Sequence, residues 1–278
     1  MKKLSYQLLF ALIAFNCFII SSCYKKFDPK SYAPPLNIGG FTSAREIAPT
    51  SLVGYWSFNG SLVDSTSNVA GTNGGTTFIN GIKGQAIQTT GNSYVVFNTG
   101  SAIQNLHSFT VSSWVNAPQN TTGIAGVLDI ANSNSFWGNL TIFFENGGSA
   151  NSGNLKIRTN NNGADAWLGN YAITDPWNKW INIAVTYDAA TSTFKVFVNG
   201  SKIATQTQAG YGPLMFQNAS KMVFGTVQFQ TTPSLTTTHG TEPWASYLNG
   251  QMDEVRIYNI ALSESEVGSL VKLEGRGK

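Results

Sequence analysis

Between residues 52 and 258 apolar and polar residues alternate in short runs that turn residues interrupt. Ile181, Ile183, Val185 and Tyr187 fall on one face of such a run, and Phe194, Val196 and Val198 on one face of another. A period of two belongs to a strand, because successive side chains leave a pleated ribbon on opposite faces. Runs rich in Val, Ile, Phe, Tyr and Thr predict strands at 52–58, 94–97, 109–115, 140–145, 155–159, 181–187, 194–199, 222–227 and 252–258. Asn-Gly pairs punctuate them, at Asn80-Gly81, Asn162-Gly163, Asn199-Gly200 and Asn249-Gly250. Both residues tolerate the positive φ that a tight hairpin turn demands. No longer repeat is present, so the pattern predicts one all-β unit, a two-sheet sandwich or jelly roll. Near the end, Ser263 and Glu266 have capping-box spacing, and Val267, Leu270 and Val271 follow at helical intervals. A short C-terminal helix is predicted there, with residues 274–278 fraying.

The start of the chain has a different pattern. Lys2 and Lys3 precede an apolar run, and small residues close it at Ser21-Ser22. The run is shorter than the about 20 residues that span a bilayer, and its layout is that of an export signal. Residues 24–50 hold Asp28-Pro29, Ala33-Pro34-Pro35, Gly39-Gly40 and Pro49 with no sustained period, as a tether would. The chain has two cysteines, Cys17 and Cys23, and Cys17 lies in the apolar run. The exported domain would therefore rely on its core rather than on disulfides.

Charge changes the picture of the surface. Removing Lys2 and Lys3 takes the formal charge from +3 to +1. Charged residues are 11% of the chain, against about 25% in ordinary domains. No cluster of Lys and Arg is present to neutralise phosphates, which excludes nucleic acid as a partner. Asn, Ser, Thr, Gly and Gln must cover the surface, which suits neutral, hydroxyl-rich ligands.

Two resemblances follow. Ile20-Ser21-Ser22-Cys23 resembles the lipobox of bacterial lipoproteins. That implies a signal peptide over 1–22, acylation of Cys23 with palmitate among the chains, and a lipidated tether over 23–50. It also implies a place in the cell envelope of a Gram-negative bacterium, at the outer membrane, facing the periplasm or the surface. The other resemblance rests on four segments in order: Gly54-Tyr55-Trp56-Ser57-Phe58-Asn59-Gly60 with Gly81-Ile82-Lys83-Gly84; Phe109-Thr110-Val111-Ser112-Ser113-Trp114-Val115; Trp180-Ile181-Asn182-Ile183-Ala184-Val185-Thr186-Tyr187-Asp188; and Gly250-Gln251-Met252-Asp253-Glu254-Val255-Arg256-Ile257-Tyr258. Together they resemble the laminin-G-like subgroup of the concanavalin A-like lectin/glucanase superfamily. The resemblance implies a domain over 51–272, with a tail at 273–278. Its fold would be a concanavalin A-like, two-sheet antiparallel β-sandwich with six or seven strands per sheet, one sheet concave. Such folds host lectins, glycanases and adhesion modules, so ligand and activity stay open.

The glucanases of that superfamily carry Glu-x-Asp-x-Glu on one strand, and this chain has no such run. A dispersed pair, Glu145 with Asp165, is the remaining route to glycoside hydrolysis, which needs carboxyls about 5 Å or about 6.5–9.5 Å apart. His107 and His239 stand alone, and no Gly-x-Ser-x-Gly elbow is present. Asp253 shares a strand face with Val255 and Ile257, so it is expected to point inward, where a carboxylate needs donors or a cation. A structural Ca²⁺ held by Asp253, Asn59 and Asp64 is one answer, and capped backbone amides or an arginine are the other. Seven tryptophans are present. Trp56, Trp114 and Trp180 fall in strands and read as core. Trp137, Trp167 and Trp244 fall in or beside polar loops, where binding residues collect on rigid scaffolds. Flat rings stack on sugar faces while amides meet hydroxyls. Trp137, Trp167, Trp244, Tyr211, Asn160, Asn162 and Asp165 are thus the candidate glycan contacts. The expected function is non-catalytic carbohydrate binding by a membrane-anchored lipoprotein. The alternatives are a glycoside hydrolase and a protein-binding or adhesion module, within an uptake or adhesion complex.

Overall fold

The alternating runs become strands, and the strands close two sheets over a shared apolar layer. A computed structural model of the protein describes residues 36–278, of which Asn37–Lys278 form one unit. The expected signal, Cys23 and residues 23–35 of the expected tether lie outside the described residues. The first sheet runs in the order β13 (Ser201–Thr207), β12 (Thr193–Val198), β11 (Ile181–Asp188), β6 (Phe109–Asn116), β16 (Gln251–Tyr258), β4 (Gln85–Gln88) and β3 (Thr77–Asn80). Strand β1 (Leu52–Trp56) also pairs with β16. The second runs β10 (Ala164–Thr174), β9 (Ser152–Asn161), β8 (Leu140–Ser149), β7 (Ile124–Ile130), β14 (Lys221–Phe224), β5 (Tyr94–Asn98) and β2 (Thr72–Gly74). The short β15 (Ala245–Ser246) joins β7 in parallel, and every other pairing is antiparallel. This is a concanavalin A-like β-sandwich, with eight strands per sheet among the described residues rather than six or seven.

All nine expected runs are strands. Their inward residues fill the sandwich, where Trp56 lies 5.2 Å from Phe97 and 5.1 Å from Phe224. Trp56 and Trp114 are buried as expected, but Trp180, just before β11, is only half-buried. One one-turn helix, α1 (Ser101–Gln104), leads into β6.

The C-terminal helix α2 (Glu264–Glu274) starts with the expected capping box: Ser263 Oγ accepts from Glu266 N, and Ser263 N donates to Glu266 Oε2. It lies over the outer face of the first sheet. There Arg256 of β16 donates from Nε to Glu274 Oε1 (2.6 Å) and from Nη2 to Glu254 Oε2 (2.9 Å). Trp114 Nε1 donates to Glu274 Oε2 (2.8 Å), and the guanidinium carbon sits 3.9 Å above the Tyr55 ring. Glu274 is fully buried, so the chain is fixed through that residue instead of fraying from it. The turn Ala44–Glu46 packs against α2 as well, and Ala44 and Ile47 are buried. The folded unit thus reaches back into residues expected to be tether.

Strand β16 departs from simple alternation. Asp253 faces Trp114 and the next partner pair is Arg256 with Ser112, while Glu254 has φ 47°. This bulge inserts one residue and resets the faces. Met252, Val255 and Ile257 therefore point into the core, and Glu254 and Arg256 point towards α2. Asp253 does not line up with Val255. Its carboxylate turns to accept from Lys83 N (3.0 Å) and Glu254 N (2.8 Å).

Burial pushes the carboxyls of Glu274, Asp253 and Asp129 up to about 7, against the pull of Arg256 on the first and of backbone amides on the others. In the unfolded chain these groups ionise near about 4. The folded state then holds protons that the unfolded state has released, so stability falls as pH rises from about 4 to about 7. Glu46 and Glu264, held below the usual range by hydrogen bonds from Thr42 and Lys202, act only below that window. The urea midpoint should therefore be lower at about pH 8 than at about pH 5, and Glu274→Gln should shrink the difference. Arg256→Met, which takes the guanidinium from two buried carboxylates, should lower the unfolding free energy by about 3–5 kcal/mol in the same titration.

Candidate functional site

The outer face of the second sheet carries a row of side chains in register: Trp167 on β10, Arg158 on β9, Thr141 on β8, Asp129 on β7, Val223 on β14 and Val96 on β5. Ala166 and Leu168 point into the core, so alternation sends Asp165 and Trp167 outward. The segment 131–139 crosses the middle of this row as a roof. Gln228 fastens it: Oε1 accepts from Asn132 N (2.7 Å), and Nε2 donates to Ser135 O (2.7 Å) and Phe136 O (2.9 Å). The backbone N–H of Gln228 donates to Asp129 Oδ2 (2.9 Å). Gly138 lets the roof settle, since a Cβ there would stand 1.6 Å from Asp129 Oδ1. Arg158 donates from Nη1 to Gly138 O, and from Nη2 to Asp165 Oδ1. Asp129 Oδ1, Arg158 Nε and Thr141 Oγ1 lie buried together under the roof.

Where the roof ends, three tryptophans distant in sequence meet. The Trp137 ring centroid lies 5.3 Å from that of Trp167, at 90°, and 6.0 Å from that of Trp244. Phe143 and Phe229, both buried, support them: Phe143 stacks 5.7 Å from Trp137, and Phe229 is 5.4 Å from both Trp137 and Trp244. Phe136 stacks on Phe229 (4.5 Å) and carries His239 against it (4.3 Å). Trp167 and Trp244 remain 40% and 42% exposed, a large aromatic area left open to water. Lys156 Nζ is 5.4 Å from the Trp167 ring centre and pairs with Glu145 (2.9 Å), so the platform edge is close to neutral.

Beside the platform opens a cleft of about 490 Å³ lined by Asn132, Asn134, Asn160, Asn162, Asp165 and Gln217, with Arg158 and Asn218. Arg158 joins the two parts, its guanidinium carbon 5.9 Å from the Trp167 ring centre and its Nη2 on Asp165. Asn160 Nδ2 also donates to Asp165 Oδ1, and Asn160 Oδ1 accepts from Gly163 N (2.9 Å). That bond holds the β9–β10 turn, where Asn162 and Gly163 both have positive φ.

Trp137, Trp167, Trp244, Asn160, Asn162 and Asp165 thus come together. Asn132 and Asn134 could have been read from the polar loop before Trp137; Arg158, Gln217, Phe229 and His239 carried no local signal. Tyr211 is not a surface contact. It is buried against Tyr187 and Phe194, with its hydroxyl 3.0 Å from the carbonyls of Thr159 and Ala164, and burial pushes it up to about 12. Gly210 and Gly212, both at positive φ, let the loop turn this ring inward. Glu145 and Asp165 do not face one bond: they pair with Asn154 and Asn160 of β9, six residues or about 20 Å apart along the strand. Asn59 Oδ1 accepts from Gln85 N (2.7 Å), so it and Asp253 pin the same turn from two sides. Asp64 pins another, accepting from the amides of Tyr55 and Thr66 (2.9 Å each). These oxygens are committed to amide donors, and among the described residues no group of three or more His, Cys, Asp or Glu is gathered for a metal. Asn59 and Asp253 thus sit at one turn and Asp64 at another.

A family model, Laminin_G_3, described as concanavalin A-like lectin/glucanases superfamily, matches residues 89–268. No curated protein matches the sequence. Among solved structures, the binding domain of Paraclostridial Mosquitocidal Protein 1 is similar at TM-score 0.60 and 18% identity, over 80% of this chain and 52% of that one. Domain 4 of AbnA, a GH43 extracellular arabinanase from Geobacillus stearothermophilus solved with arabinotriose, is similar at TM-score 0.56 and 24% identity, over 80% and 98%. A structure of botulinum neurotoxin type C, whose cell entry depends on two ganglioside molecules, is similar at TM-score 0.60 and 15% identity, over 81% and 51%. The chain spans about half the length of the toxin chains and nearly all of the arabinanase domain. With more than half of its residues matched by the family model and its two sheets arranged accordingly, the chain belongs to the concanavalin A-like lectin/glucanase superfamily.

Proposed function

We propose that this domain binds neutral poly- or oligosaccharide without cleaving it, at the tryptophan platform and the amide-lined cleft. The observation that carries the reading is the convergence of Trp137, Trp167 and Trp244 on buried phenylalanines, two of the three left about 40% exposed. Exposed indoles offer flat apolar faces to sugar rings, and the adjoining Asn and Gln side chains offer both donors and acceptors to hydroxyls. Arg158 is matched by Asp165 and Lys156 by Glu145, which favours an uncharged ligand. The wide spacing of Glu145 and Asp165 supports binding over hydrolysis. The arabinotriose complex of a domain with the same fold supports the ligand class.

The same reading places the domain at the cell envelope, on a tether acylated at Cys23, where the lipobox resemblance points. Two or more acyl chains would hold it there stably. Cells fed labelled palmitate should yield labelled protein, and Cys23→Ala should lose the label and move to the soluble fraction. Unchanged labelling in that variant would overturn the anchor.

Affinity electrophoresis of the mature chain in arabinan, xylan, glucan and galactan, with reducing ends assayed alongside, tests the binding. Retardation without release of reducing ends is expected. Trp167→Ala and Trp244→Ala should each weaken binding by about tenfold or more. Retardation unchanged in both variants would remove the platform from the reading, and release of reducing ends would replace binding by hydrolysis. Failure to bind any glycan would move the platform to a protein partner.

A further inference from the structure

We infer that the amide-lined cleft is one half of a longer groove, and that the ligand is a linear glycan long enough to occupy both halves. This rests on the binding reading above and deepens it. A second cleft, of about 410 Å³, opens on the same face of the second sheet, on the far side of the roof. Thr72 of β2, Val96 of β5 and Lys221 of β14 line it from the sheet, and Thr232, Pro233 and Ser234 from the loop after β14. Both clefts sit on the one cross-strand row. Arg158 lines the first, and Val96, paired through Val223, Asp129 and Thr141, lines the second, with Thr72 next to it. Four strand spacings separate Arg158 from Val96, about 19 Å, which is further than one sugar ring reaches.

The clefts also touch. Asn218 lines both, and Ser133 lines the second while its neighbours Asn132 and Asn134 line the first. Asn218 Nδ2 reaches Asn132 Oδ1 (3.5 Å), and Asn218 O accepts from Ser133 N (3.4 Å). A ligand passing over this crest would exchange one amide-lined surface for another. The far wall is fixed in advance. Tyr94 Oη accepts from Thr232 N (2.8 Å) and donates to Thr232 O (3.1 Å), and its ring stacks on Tyr247 at 6.2 Å. Lys221 is the one charged side chain lining the second cleft, and its Nζ donates to Asn98 Oδ1 (3.3 Å). Hydroxyls and amides therefore continue from the first cleft into the second, where Val96, Ala131 and Leu235 add apolar surface and no carboxylate lines the wall. Platform, first cleft, crest and second cleft thus adjoin along one face of the second sheet.

A size ladder from disaccharide to octasaccharide, cut from linear arabinan, xylan and glucan, tests the groove by calorimetry on the mature chain. Affinity should rise by about tenfold or more between trisaccharide and octasaccharide, because the second cleft adds contacts to a ligand already held at the first. Thr72→Trp, which fills the second cleft from an exposed position on an edge strand, should leave trisaccharide binding unchanged and abolish that gain. Lys221→Ala should reduce the gain without touching the trisaccharide. Affinity that is flat beyond the trisaccharide yet lost in Trp167→Ala would overturn the groove and leave the platform standing. Equal weakening of short and long chains in Thr72→Trp would overturn it too. Absence of binding to every ladder would overturn both readings together.

Discussion

A charge taken out of water must be answered by another charge, or by donors and acceptors that replace the lost solvent. Each sheet of this sandwich meets that demand with one arginine on its outer face. Arg256 sits between Glu254 and Glu274 and over the Tyr55 ring, and so holds α2 to the first sheet. Arg158 is bonded to Gly138 O and Asp165, and so holds the roof and the β9–β10 hairpin to the second. The apolar layer between the sheets makes the fold; these two guanidiniums decide what lies on top of it. A lysine could not substitute at either place, because each site uses the planar fork to reach two acceptors at once.

The second arginine links fold to function. It is buried itself, yet it lines the cleft and approaches the Trp167 ring. Gln228, Gly138 and the supporting phenylalanines fix the same region from the other side. A surface assembled before the ligand arrives loses little conformational freedom on binding. That matters for neutral ligands, because each hydroxyl gives up nearly as many bonds to water as it gains from the protein.

Nine strands were legible because β-branched and aromatic residues crowd them and several alternate in polarity: β11 sets Ile181, Ile183, Val185 and Tyr187 against Asn182 and Thr186, although both of its faces are buried. Strand β7 was not, because the roof covers its outer face and Ile-Ala-Gly-Val-Leu-Asp-Ile carries no alternation. Strand β10 hid behind outward Asp165 and Trp167 and a bulge between Leu168 and Tyr171. Strands β3 and β13 are exposed edges whose polar and apolar residues are both wet. The tryptophans were legible as aromatics too large and too many for the loops that carry them. Their meeting was not, since it depends on Phe229 and on the roof, which only long-range pairing brings together. Tyr211 shows the reverse error: flanked by glycines it looks like a loop tip, but those glycines turn it inward.

The bulge in β16 leaves that strand one residue longer than its pairing requires. This is slack, and it is asymmetric. A chain lacking Glu254 would still send Met252, Val255 and Ile257 inward, and Arg256 and Glu274 would remain as a one-to-one pair. A chain with one residue more would turn the strand's second half over, placing the guanidinium among apolar side chains and Val255 and Ile257 beneath α2. At that point the strand tolerates the loss of a residue better than the gain of one.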